Sequence, residues 1–78
     1  MSYGYSTRLI ESNKAASPKL LGVRLGRVCI KLRIPVAYVA STLGVSRQTI
    51  YNWFTGTSNP QNTVVDSVES LLTSLSQK

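Results

Sequence analysis

The sequence predicts a small all-α domain of four helices, and two observations predict it. Apolar residues recur at helical spacing in four separate stretches, with breaks rich in Gly, Pro, Ser, Thr and Asn between them. No stretch alternates with the period of two that a half-buried strand requires. At 78 residues the chain makes one domain, whose core is marginal and must pack efficiently.

The first segment, Met1 to Ala16 (MSYGYSTRLIESNKAA), shows no sustained period, and its Ser, Gly and Asn content marks residues 1–16 as a flexible N-terminal arm. The domain proper is then expected over 17–78. Ser17-Pro18 is expected to open the first helix, with Ser as N-cap and Pro at the first helical position, where its missing N–H costs nothing. Leu21, Leu25, Val28 and Leu32 follow at i, i+4, i+7 and i+11 with Cys29 beside them, which predicts the core stripe. Arg24, Arg27 and Lys31 form a basic stripe on another face. Ile34-Pro35 ends this helix, because a residue before proline disfavours the α region.

The second helix is expected over Val36 to Leu43, with Val36, Val39, Ala40 and Leu43 at i, i+3, i+4 and i+7. Gly44 supplies a residue that takes positive φ at a helix C-terminus without steric cost. Val45 points inward, and Ser46 is a good N-cap for a third helix running from about Arg47 to Phe54 or Thr55. There Ile50, Trp53 and Phe54 face the core and leave Arg47, Gln48, Tyr51 and Asn52 outside. Gly56 is placed to end it, and Thr57, Ser58 and Asn59 form a polar loop closed by Pro60. The last helix starts near Asn62 or Thr63 and runs to about Ser76. Its stripe of Val64, Val65, Val68, Leu71, Leu72 and Leu75 is wider than so small a core requires, which offers Leu72 and Leu75 to a second copy of the chain.

The net charge is +6, and its placement says more than its total. Lys19, Arg24, Arg27, Lys31 and Arg33 fall between residues 17 and 33 with no acid among them, whereas residues 61–78 carry Asp66 and Glu69 against Lys78. A polyanion is the partner such a surface favours. Cys29 is alone, so an internal disulfide is impossible, and its apolar setting marks a buried thiol. With no histidine and no second cysteine, neither a structural zinc nor any cofactor is expected. No run has the length of a membrane span and no signal peptide opens the chain, so a cytoplasmic protein is expected. An enzyme is not expected: paired carboxylates in a pocket and a glycine-rich phosphate loop are both missing, and no base stands beside the Ser and Thr residues. Asp66 and Glu69, three apart, read as a solvated helix face.

The stretch from Val36 to Trp53 then carries a resemblance. Ala40 is the small residue where two helices cross, Gly44 the turn, Val45 and Ile50 the inward residues, and Ser46 the cap. Trp53, Gly56 and Pro60 close the pattern at fixed offsets, and Leu21-Gly22-Val23-Arg24-Leu25 precedes it. On these residues the chain resembles the phage-repressor/Cro-like (lambda-repressor-like) helix-turn-helix family over roughly Leu21 to Leu75. The resemblance implies a compact bundle of four to five helices whose third helix, 47–55, enters the major groove of double-stranded DNA. Arg47 and Gln48 match the first base-reading positions and Asn52 a later one, with Tyr51 between them. The chemistry agrees independently, since Arg can pair with guanine O6 and N7, and Gln or Asn with adenine N6 and N7. Ser46, Thr49, Thr55, Thr57, Ser58 and Asn59 match regions that bond phosphate, and the basic Lys31 and Arg33 join them. Tyr3, Tyr5 and Arg8 of the arm could reach along DNA, although a loosely packed tail is the simpler reading. Two departures stand out. Val36 occupies the position where the family usually places a polar phosphate clamp, and Cys29 and Phe54 occupy positions of a frequent Arg–Glu pair. An ion pair replaced by apolar groups at both ends can be neutral or stabilising.

The function expected from these features is a sequence-specific DNA-binding transcription regulator, a small repressor of the phage or plasmid type, acting as a homodimer on the nucleoid of a prokaryotic or phage-infected cell. The alternative is a helix-turn-helix scaffold that binds and modulates a host protein such as RNA polymerase or a defence factor. A third possibility is an accessory DNA-architecture role in recombination or replication.

Overall fold

The computed structural model describes residues 6–76. Five helices follow in order: α1 (Thr7–Ala15), α2 (Leu21–Leu32), α3 (Val36–Leu43), α4 (Arg47–Phe54) and α5 (Asn62–Ser76). The described residues hold no strand. α2 is the central element, packing against α1, α4 and α5, while α3 packs on α4 and α5. Val23, Leu25, Cys29, Val39, Ile50, Phe54 and Val68 are fully buried between them. Burial pushes the Cys29 thiol up to about 12, which keeps it protonated and inert.

Within the stretch expected as a flexible arm, residues 1–16, the described part holds a helix, and residues 1–5 lie outside the described residues. Thr7–Ala15 is helical, capped by Ser6, whose Oγ accepts from the Leu9 N–H at 3.1 Å. Its deepest residue is polar. Asn13 is fully buried, and its Nδ2 donates to the Phe54 carbonyl at 2.7 Å and the Val23 carbonyl at 3.2 Å, clasping α1 to the ends of α4 and α2. Arg27 closes the same C-terminal end of α1: its Nη2 donates to the carbonyls of Lys14 and Ala16, which the helix leaves without partners. Tyr3 and Tyr5 lie outside the described residues.

Ser17-Pro18 opens a turn instead of a helix. The Leu20 N–H donates to the Ser17 carbonyl at 3.2 Å and the Lys19 N–H to Ser17 Oγ at 3.3 Å, with Pro18 at the second turn position, where its fixed φ is favoured. α2 therefore begins at Leu21. Its buried face is also rotated from the expected stripe. Gly22, Leu25, Gly26 and Cys29 are buried, whereas Leu21 and Val28 are half-buried and Leu32 is 39% exposed. The two glycines set this rotation. A Cβ on Gly22 would lie 2.6 Å from Trp53 Cβ and 2.9 Å from the Trp53 carbonyl oxygen, and one on Gly26 would lie 2.8 Å from the Phe54 ring and 2.7 Å from Asn13 Nδ2. Spaced four apart on one helix face, they let α4 approach α2 nearly backbone to backbone.

α3, α4 and α5 form where the periodicity places them. In α5, Val68 and Leu72 are buried and Val64, Leu71 and Leu75 pack partly against the core. Leu72 is thus a core residue of this chain and is not offered to a second copy.

Candidate nucleic-acid interface

α4 is held by one face and presents the other. Ile50, Trp53 and Phe54 are buried. Sinking each contributes roughly 1.5–3 kcal/mol relative to exposure, enough to fix the helix rotation without help from its polar face. The N-terminal end is set by Ser46, whose Oγ accepts from the Thr49 N–H at 3.1 Å and also bonds Thr49 Oγ1 at 2.9 Å. Ahead of it, Gly44 takes φ 70°, and the Val45 N–H reaches back to the Ala40 carbonyl at 3.0 Å, which fixes the angle between α3 and α4.

On the open face Arg47 and Gln48 are exposed, and Tyr51 and Asn52 are half-buried. Gln48 Nε2 donates to Asn52 Oδ1 at 3.0 Å, an i, i+4 bond that orders both amides before any partner arrives. The bond uses one of the two Nε2 protons. Gln48 keeps Oε1 and its second proton, the acceptor–donor pair that matches adenine N6 and N7, and Asn52 keeps both Nδ2 protons as donors. Arg47, at the first helical position, carries a fork of donors suited to guanine.

The residues expected at phosphate divide into two groups. Thr57, Ser58, Lys31 and Arg33 are exposed. Thr55 and Asn59 are engaged in the fold: Thr55 Oγ1 donates to the Tyr51 carbonyl at 2.9 Å and bonds Thr57 Oγ1 at 3.0 Å, closing the end of α4. Asn59 Oδ1 accepts from the Gly22 N–H at 3.4 Å, serving the start of α2, where Leu20 provides no capping oxygen. Of the basic stripe, Arg27 is drawn onto α1 and Arg24 faces Glu69 across the groove between α2 and α5. Val36 is only 3% exposed, so the start of α3 carries no polar clamp, and Cys29 and Phe54 are both fully buried in the core. Among the described residues no group of three or more His, Cys, Asp or Glu could hold a metal ion, and no helix is long and apolar enough to cross a membrane.

Two short helices at a glycine turn, the second with a buried apolar face and an open face of Arg, Gln, Tyr and Asn, define a helix-turn-helix protein. A family model for helix-turn-helix domains, of the Cro/C1 type, matches residues 23–73, and the chain belongs to this lambda-repressor-like family. Neither a curated protein nor a solved structure matches it. The family is one of DNA-binding transcription regulators and is not typically enzymatic, and membership makes this chain a DNA-binding regulator by class. The match begins at Val23, within α2, so α1 lies outside the matched residues.

Proposed function

We propose that the protein is a sequence-specific regulator of transcription, a small repressor of the phage or plasmid type that reads the major groove of duplex DNA with α4. One observation supports this above the others: Arg47, Gln48 and Asn52 share the open face of a helix whose opposite face is fixed in the core. Arg47 and Gln48 read base edges and Asn52 extends the reading. Tyr51 meets a thymine methyl or a phosphate. Ser46, Thr49, Thr57 and Ser58, with Lys31 and Arg33, hold the sugar–phosphate backbone and set register without reading sequence. So small a domain makes few contacts, and a homodimer on a two-fold site, with half-sites about 34 Å apart, supplies the affinity of a regulator.

Selection from random duplex DNA with the purified chain tests this reading. One enriched motif is expected, with a two-fold repeat if the dimer is correct. Enrichment of no motif, with binding that is weak and steeply salt-dependent on every sequence, would reject sequence-specific reading and turn attention to a protein partner.

A further inference from the structure

α1 lies beside the open face of α4. Ser6, Arg8, Leu9 and Ser12 of its first turns and Gln48 and Tyr51 of α4 line one cleft of about 650 Å³. Arg8 and Ser12, four apart, share a helix face and are exposed. Glu11, the acid of α1, does not line the cleft. The lining therefore combines a guanidinium, three hydroxyls and an amide beside the apolar Leu9, with no negative charge. Its position relative to α4 is fixed, because the Asn13 side chain ties the far end of α1 to the Phe54 carbonyl at 2.7 Å. An anion strand lying against Gln48 and Tyr51 would pass this cleft next.

We infer that α1 extends the DNA-contacting surface beyond the residues that match the family, with Arg8 binding a backbone phosphate at the α1–α4 cleft. This rests on the proposed reading by α4. The contact is to phosphate and not to a base, because Gln48 and Asn52 already occupy the base-reading face and Arg8 reaches the edge of it from a neighbouring helix. Arg8 and the cleft hydroxyls thus anchor the strand flanking the bases read by Arg47 and Gln48.

Fluorescence anisotropy of the full chain on its selected duplex and on a random duplex, over a range of KCl concentrations, tests the inference. Each phosphate contact contributes about 0.9 to the slope of log affinity against log salt, so Arg8→Ala is expected to lower the slope by about 0.9. Between 200 and 50 mM salt the variant then gains roughly threefold less affinity than the parent, by the same factor on both duplexes. Arg8→Lys is expected to keep the slope. Arg24→Ala, which removes the same charge on the α2–α5 side, is also expected to keep it. An Arg8→Ala slope equal to that of the parent would overturn the inference while leaving the α4 reading intact, and so would a loss confined to the selected duplex, which would mark a base contact. If the parent chain binds no duplex at any salt concentration, both readings fall together.

Discussion

The two turns that bound α3 are built alike and filled differently. After α2 the chain passes through Arg33 at φ 60° and ψ 42°, with the Ile34 N–H bonded to the Cys29 carbonyl at 2.8 Å and the Arg33 N–H to the Ile30 carbonyl at 3.2 Å. After α3 it passes through Gly44 at φ 70° and ψ 32°, with Val45 bonded to the Ala40 carbonyl at 3.0 Å and Gly44 to the Ser41 carbonyl at 3.3 Å. Both are left-handed helix ends that satisfy orphan carbonyls. Arg33 is the one non-glycine residue with positive φ among the described residues, and holding an L-residue there costs about 1–2 kcal/mol. Gly44 carries no such cost, although a Cβ there would meet nothing within 4 Å. The comparison separates two reasons for a glycine at a turn, and at Gly44 the reason is dihedral alone. It also poses a question about Arg33, where a strained cation stands in place of the easier glycine. The proposed phosphate contact would give one reason to keep a cation there.

Three substitutions sharpen the comparison. The largest effect is expected at Gly22, a glycine required for space. Gly22→Ala drives a methyl into the Trp53 backbone and is expected to destabilise the fold by about 2–3 kcal/mol in urea denaturation. Retained stability there would mean that α2 and α4 separate freely, and the close approach would lose its significance. Gly44→Ala is expected to cost about 1 kcal/mol, from its positive φ without a clash. A loss as large as that of Gly22→Ala would show that the turn has a steric demand as well. Arg33→Gly is the smallest and has the opposite sign. Relief of left-handed strain exceeds the added entropy of an unfolded glycine by about 0.5 kcal/mol, so the variant is expected to be slightly more stable. It should also bind DNA more weakly, with a shallower salt dependence. A more stable variant with unchanged binding would remove Arg33 from the interface.

The same elements show what periodicity can and cannot reveal. α3, α4 and the span of α5 are legible in the sequence because each carries a clean apolar stripe and a distinct break, and the exposure of Arg47 and Gln48 follows from the burial of Ile50, Trp53 and Phe54. α2 is legible as a helix, but its buried face is misread, because a face that closes through Gly22 and Gly26 has no side chains to count. The spacing of those glycines by four was the available signal. α1 escapes for a related reason: its anchor is Asn13, a buried amide that polarity alone assigns to solvent. Ser17-Pro18 suits a turn as well as a helix start, and the choice between them was tertiary. At the candidate interface the i, i+4 spacing of Gln48 and Asn52 announces their hydrogen bond. The ties of Asn59 to Gly22 and of Arg27 to α1 join segments distant in sequence, and no local pattern carries them.

Base reading by the open face of α4 is tested by measuring the affinity of the parent chain and of Arg47→Ala across every single-base variant of the selected site. Arg47→Ala is expected to lose about 1–3 kcal/mol on the selected site and to become indifferent to the base pair at one position, with discrimination elsewhere unchanged. A uniform loss at every position, or none, would contradict it.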